Sequence, residues 1–145
     1  MKNIMIIMKI NGMKTSLIEG QPTLSLFLLK GDVIMNQDIL DLINRRENQI
    51  LLHSCIYYKF NDNLIEDWQY DSIGKDLLEL AKDYPDEFEA SYHYEEFIDY
   101  VNSETPSGFN LRYSTVENVS KAMHLLRLYG RNTTKFINDD SQIKK

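Results

Sequence analysis

The sequence predicts a single, mainly α-helical domain, and three observations support this fold class. Apolar side chains recur every three or four residues through most of the chain after residue 35. Residues that cap helices precede these stretches, and proline or glycine residues follow them. The chain has 145 residues, of which 43% are hydrophobic and 26% are charged, as in ordinary globular domains.

The first helix is expected to begin near Asn36 or Asp38, because both side chains can cap a helix, and to end near Tyr58. Residues 61–63, Asn-Asp-Asn, then predict a turn, since these side chains tolerate left-handed backbone and bond nearby amides. The residues that recur at helical spacing are Ile39, Leu42, Ile43, Ile50, His53 and Tyr57.

The second helix is expected to begin near Asp67, as its N-cap or in its first turn, and to pack antiparallel to the first. It should end near Tyr84, because Pro85 disfavours helical backbone at the preceding residue. Its expected buried stripe is Tyr70, Ile73, Leu77, Leu80 and Tyr84.

Two further helices are predicted in the remaining part of the helical domain, residues 35–130. The third covers about residues 92–101, with Phe97, Ile98 and Val101 inward, and a loop follows at 103–110. The fourth covers about residues 115–129 and is capped by Ser114 or Thr115. Its apolar residues are Val116, Val119, Met123, Leu126 and Leu128, and Gly130 ends it. Residues 131–145 are polar and are expected to form a flexible tail.

Residues 1–34 have two interpretations. Lys30-Gly31-Asp32 can be encoded by a bacterial ribosome-binding sequence at a suitable distance before Met35, which predicts that the natural protein starts there. Alternatively the same tripeptide is a turn, and residues 1–34 form short β segments. In that case residues 23–34 are the best strand candidate and residues 1–10 the next.

Charge and cysteine content indicate the class of partner and the compartment. The net charge is −6 and the pI about 5.0, which disfavours nucleic-acid binding and suits a basic protein surface. Cys55 is the single cysteine, so no intramolecular disulfide forms and a bacterial cytoplasm is expected. No apolar run is long enough to span a membrane, and the three histidines lack metal-site spacing.

Three tyrosines and two aspartates are expected to meet at the corner of the helical hairpin. They are Tyr57, Tyr58, Asp67, Tyr70 and Asp71. Tyrosine rings can stack on a positively charged ring, carboxylates can accept bonds from an amide or from ribose hydroxyls, and a helix start can receive a phosphate. Nicotinamide mononucleotide (NMN) has all of these groups. The alternative is that the tyrosines pack in the core and that Asp67 only caps its helix.

Four short motifs follow one another along this hairpin: His53-x3-Tyr57-Tyr58, Ile65-x-Asp67-x2-Tyr70-Asp71, Leu77-x-Glu79-Leu80 and Tyr84-Pro85. Together they cover residues 48–88 and resemble the N-terminal Ia domain of the NAD⁺-dependent bacterial DNA ligases. In that family the domain holds the NMN half of NAD⁺ and closes it over the nucleotidyltransferase domain. The resemblance therefore implies a nicotinamide-nucleotide site here, at the positions Tyr57, Tyr58, Asp67, Tyr70 and Asp71.

The chain also departs from the ligase pattern. Gln69 stands where the family has Glu, Trp68 where it has Ala, and Cys55 at a usually aromatic position. The Lys-x-Asp-Gly adenylation motif does not occur in the sequence, and the residues after Phe88 have no counterpart in the ligases. The chain is therefore not a DNA ligase by itself. Small proteins with such a hairpin are familiar from phages and mobile elements, which implies that kind of origin.

Two functions follow as expectations. The first is a non-catalytic module that binds NMN or NAD⁺ and needs no metal, since no nucleophile–base pair, metal cluster or phosphate loop is visible in the sequence. The second is a small acidic effector that inhibits a host or defence protein by binding its basic surface. Its contacts would come from the acidic clusters Asp83, Asp86, Glu87 and Glu89, and Glu95, Glu96 and Asp99.

Overall fold

The computed structural model describes residues 4–10, 13–18 and 33–137, and it confirms a mainly helical fold. Its described strands are β1 (Ile4–Ile10), β2 (Met13–Ile18) and β3 (Val33–Asn36). Its described helices are α1 (Gln37–Tyr58), α2 (Asp67–Asp83), α3 (Pro85–Glu89), α4 (Tyr94–Asn102), α5 (Val116–Leu128) and α6 (Thr134–Ile137), with a 3₁₀ turn at Gly108–Asn110. None of the helices in these ranges is long and apolar enough to cross a membrane.

The three strands form an antiparallel sheet in the order β2-β1-β3. The strand expected within residues 1–10 is observed as β1, which pairs with β3 so that Met5 lies opposite Met35. Most of the strand expected at residues 23–34 lies outside the described residues, and only its last two residues fall in β3. Met35, the predicted alternative start, is buried, and the start itself stays a prediction.

The long helix α1 organises the helical domain, since α2, α3 and α5 all pack against it. It begins as predicted: the side chain of Asn36 accepts the backbone N–H of Ile39 at 3.3 Å. Ile43, Ile50 and Leu51 of α1 belong to a core that α1 shares with α2 and α4. The next helical turn of α1 belongs to a second core, which it shares with α5. The buried α1 residues of the second core are Cys55 and Ile56.

The turn between α1 and α2 has the predicted chemistry. Asn61 adopts left-handed backbone with a φ of 51°, and the Asp62 carboxylate accepts the N–H of Asn63 at 2.8 Å. Helix α2 then begins at Asp67, which lies in the first turn rather than at the N-cap, because Glu66 takes the cap position. The Gln69 side chain accepts the Glu66 N–H at 2.9 Å and closes this end of the helix.

The buried stripe predicted for α2 is confirmed except at its end. Leu77 is fully buried, and Tyr70, Ile73 and Leu80 pack against the same core. The prediction is wrong for Tyr84, which is 37% exposed. Helix α2 ends at Asp83, and Tyr84 leaves the helical backbone, with φ −131° and ψ 64°, before the unpredicted helix α3 begins at Pro85.

Both later helices are confirmed within two residues of their predicted ends. In α4, Phe97 is fully buried, and Ile98 and Val101 are partly buried. In α5, the Thr115 side chain caps the helix by accepting the Asn118 N–H at 3.2 Å. The helix buries Val119, Ala122 and Leu126.

The apolar stripe predicted for α5 is wrong at its two ends, because Val116 and Leu128 are mostly exposed. At 3.6 residues per turn, both lie off the stripe that faces α1. Gly130 follows the helix with a φ of 73°, as a glycine that ends a helix does. Beyond it, the described part of the expected tail includes α6, where the Phe136 ring packs edge-on against Phe60 at 4.8 Å between ring centroids.

A fully buried carboxylate, Glu47, ties α1 to the connection between α3 and α4. It accepts a hydrogen bond from the Ser91 hydroxyl at 2.6 Å and one from the His93 backbone N–H at 3.1 Å. Burial raises the pKa of Glu47 to about 7, although both hydrogen bonds act in the opposite direction. The folded protein therefore holds a proton on Glu47 that the unfolded chain releases near pH 4.5.

This linkage predicts how stability depends on pH. Because the folded-state pKa is raised, the stabilisation is complete below the unfolded value and is lost as pH rises through about 7. The wild-type free energy of unfolding minus that of Glu47→Gln should be about 1–3 kcal/mol smaller at about pH 8 than at about pH 5, because the variant has no proton to lose at this position. Urea denaturation of both proteins at both pH values measures this, and an unchanged difference would contradict it.

Candidate functional site

A cleft of about 390 Å³ opens at the corner where α1 turns into α2. Its walls are the last turns of α1, the segment 63–71 that leads into α2, and residues 106–108 of the loop after α4. The structure brings all five predicted site residues to this one cleft: Tyr57, Tyr58, Asp67, Tyr70 and Asp71.

A side-chain hydrogen bond joins α1 and α2 at the base of the cleft. The hydroxyls of Ser54 and Tyr70 lie 2.8 Å apart across the two helices. Burial raises the pKa of Tyr70, so its hydroxyl keeps its proton at neutral pH. Tyr70 is thus partly a packing residue with a satisfied hydroxyl, which is the alternative that the sequence left open for these tyrosines.

The other two tyrosines form an aromatic wall. Tyr58 stacks on Tyr113 with ring centroids 5.4 Å apart and meets Phe109 edge-on at 5.3 Å, so its ring is held from two sides. Tyr57 meets only the edge of Tyr58, at 5.0 Å, among the ring contacts of the described residues. Tyr57 is 56% exposed, compared with 38% for Tyr58, so it offers more ring surface to a ligand.

The opposite side of the cleft is acidic. Asp67 and Asp71 both are exposed, and they lie four residues apart on α2, on one face of the helix. Neither carboxylate forms an ion pair within the part of the chain that the structure describes. Their oxygens are therefore available to accept hydrogen bonds from a ligand.

His53 is a neutral member of the cleft lining. Burial lowers the pKa of its imidazole below the ordinary 6.5, so the ring carries no charge at neutral pH. Its Nδ1 atom is buried and has no hydrogen-bond partner in the described structure. Sequence analysis placed His53 in the motif but assigned it no role in the site.

The third wall was not predicted as part of the site. Residues 106–108, Pro-Ser-Gly, were expected only to form a loop. Gly108 lies so close to the α1–α2 contact that a Cβ atom there would overlap the hydroxyls of both Ser54 and Tyr70. No local sequence pattern predicts this contact, because Gly108 lies 54 positions after Ser54 in the chain.

The cleft is therefore chemically suited to a flat, hydrogen-bonding and positively charged group. Rings form one side, carboxylates form another, and a loop limits its depth. Within the described residues, no group of three or more His, Cys, Asp or Glu side chains is placed to hold a metal ion.

Comparisons with protein-family models, with curated proteins and with solved structures found no match to this chain. The resemblance to the ligase Ia domain therefore remains a prediction based on the motif residues.

The close approach of Gly108 yields a stability prediction. Gly108→Ala should force the loop away from the Ser54–Tyr70 pair and lower the free energy of unfolding by about 1–3 kcal/mol. In a background of Ser54→Ala with Tyr70→Phe, both hydroxyls are gone and the same change should cost clearly less. Urea denaturation of the four proteins completes this cycle, and equal costs in both backgrounds would contradict the contact.

Proposed function

We propose that this protein is a non-catalytic module that binds a nicotinamide nucleotide, NMN or the NMN half of NAD⁺, in the cleft between α1 and α2. One observation carries the proposal. The five positions that match the ligase-like motif come from two helices, and all five line the same cleft. Both the rings and the carboxylates of this set therefore border one open cavity.

The size and the walls of the cleft suit this ligand. A volume of about 390 Å³ lies in the range of small-molecule sites. The exposed face of Tyr57 can stack on the pyridinium ring, whose positive charge is attracted to the π-system. Asp67 and Asp71 can accept hydrogen bonds from the carboxamide and from the ribose hydroxyls.

The reactive groups near the cleft support binding rather than chemistry. Cys55 is fully buried in the core shared with α5, and burial raises the pKa of its thiol to about 11, so no thiolate is offered at neutral pH. The Tyr70 hydroxyl keeps its proton and is engaged by Ser54. The biological role would then be to sequester the nucleotide, to sense it, or to present it to a partner enzyme.

A second candidate function is the acidic effector that covers a basic surface of a host protein. Asp83, Asp86 and Glu89 favour it, because they are exposed at the junction of α2 and α3. Two other acidic residues of the predicted clusters have structural partners instead. Buried Glu87 accepts the Asn36 N–H at 3.0 Å, and Glu96 accepts the Arg112 N–H.

Calorimetric titration of the full chain with NMN and NAD⁺ tests the first function. Tyr57→Ala and Asp71→Ala should each weaken binding at least about tenfold, since they remove the stacking surface and a charged acceptor. Tyr92→Ala and Asp83→Ala are matched controls outside the cleft, and both should leave the affinity unchanged.

The fold should persist in all four variants, because each substituted side chain is exposed, and circular dichroism and urea denaturation verify this. Absence of binding at millimolar ligand would contradict the proposal and leave the effector as the better candidate. The effector would instead lose its partner when the exposed acidic residues are reversed to lysine and would tolerate the loss of Tyr57.

The loop residue Phe109 should contribute to binding indirectly. Its ring supports the edge of Tyr58, and such aromatic pairs contribute about 0.5–1.5 kcal/mol. Phe109→Ala should therefore weaken NMN binding about 2–10-fold, much less than Tyr57→Ala. The same titration measures this, and an affinity equal to that of the wild type would show that the loop takes no part in shaping the aromatic wall.

A further inference from the structure

We propose that the cleft recognises the positively charged nucleoside and leaves its 5′-phosphate unrecognised. The preferred ligand class is thus a cationic pyridinium nucleoside, for which nicotinamide riboside is the probe, and a phosphate on this nucleoside lies in solvent. This inference rests on the proposed function, since it concerns the same cleft.

The charges around the cleft are the first reason. Among the described residues that line it, two are carboxylates, Asp67 and Asp71, and none is lysine or arginine. His53 also lines the cleft but is neutral, because burial lowers its pKa. The field inside the cleft is therefore negative, which favours a cationic ring and opposes a phosphate group.

The start of α2 is the second reason. A helix N-terminus commonly receives phosphate through its free backbone N–H groups, and the sequence led us to expect this here. In the structure the Glu66 N–H already donates to the Gln69 side chain at 2.9 Å, and the Gln69 N–H donates to the Glu66 carbonyl at 3.0 Å. Glu66 and Asp67 add negative side chains at this end. The N–H groups of Asp67 and Trp68 remain at this helix start, but the adjacent carboxylates repel a phosphate there.

Two further hydroxyl groups near the cleft are also engaged. The Ser107 hydroxyl accepts the Phe109 N–H at 3.3 Å, and the Tyr70 hydroxyl bonds to Ser54. Arg131 reaches the same corner of the hairpin but pairs with Asp62 at 3.6 Å, outside the cleft lining. Among its described lining residues, the cleft thus has rings and carboxylates for the pyridinium and the ribose but presents no basic side chain to a phosphate.

Selectivity follows from ligand charge. The riboside carries one positive charge, whereas the phosphate of NMN, at about −1.5 to −2, more than cancels it. At low salt we expect the riboside to bind at least about fivefold more tightly than NMN. The ratio should approach one at high salt, because counterions screen exposed charges over about 10 Å at 0.1 M and about 3 Å at 1 M.

The experiment titrates the full chain with nicotinamide riboside, with its uncharged reduced form, and with NMN, at about 0.05 M and about 0.5 M salt. The reduced riboside has nearly the same shape without the ring charge, so it should bind about tenfold more weakly than the riboside. Asp71→Asn should weaken riboside binding more than NMN binding and so lower the ratio of their affinities.

Asp83→Asn is the matched control, since it makes the same chemical change on the same helix, twelve residues and about 18 Å further along. It should leave the affinity ratio unchanged. A ratio that is lowered by salt and by Asp71→Asn, but not by Asp83→Asn, would establish charge selection in this cleft.

Two results would overturn the inference while leaving the proposed function intact. The first is tighter binding of NMN than of the riboside, which would show that the cleft also binds the phosphate. The second is equal affinity for both at low salt. If no nicotinamide compound binds at millimolar concentration, the proposed function itself fails and this inference fails with it.

Discussion

The contact between Ser54 on α1 and Tyr70 on α2 is the constraint on which the candidate site depends. The two hydroxyls lie 2.8 Å apart, and they fix how the end of one helix meets the start of the next. Tyr57 lies one helical turn beyond Ser54, and Asp71 directly follows Tyr70. The contact between the two helices therefore positions Tyr57 and Asp71 at the cleft. Gly108 packs against the same two side chains, and this contact positions residues 106–108 as the third wall of the cleft.

The helix α1 links the site to the rest of the molecule. It contributes to two separate cores, and it carries a buried carboxylate at Glu47, between Ile43 and Ile50 of the first core. Such a carboxylate is costly unless it is protonated or well hydrogen-bonded, so its partners Ser91 and His93 have to stay in place. The same helix that presents Tyr57 therefore also restrains the segment between α3 and α4.

Much of the helical hairpin could be predicted because its determinants are local. A capping residue, a turn of Asn and Asp, and apolar spacing all act within a few residues of each other. What the sequence could not predict depends on distant neighbours. Gly108 reaches its partners only after folding, and the exposure of Tyr84, Val116 and Leu128 reflects where the packed neighbours end. Periodicity describes which face of a helix is apolar, but it does not describe how far another element covers that face.

Two of the three positions at which the chain differs from the ligase pattern, Trp68 and Gln69, have a physical explanation in the structure. Gln69 can accept the Glu66 N–H as a glutamate would, so the helix start is kept while one negative charge near the cleft is removed. Trp68 is 68% exposed at the same helix start, next to Asp67, and its ring is not needed for the core. Neither change disturbs the crossing of Ser54 with Tyr70, and neither removes a ring or a carboxylate from the cleft lining. These two positions therefore lie outside the cleft lining, and the residues found there leave the arrangement of its walls intact.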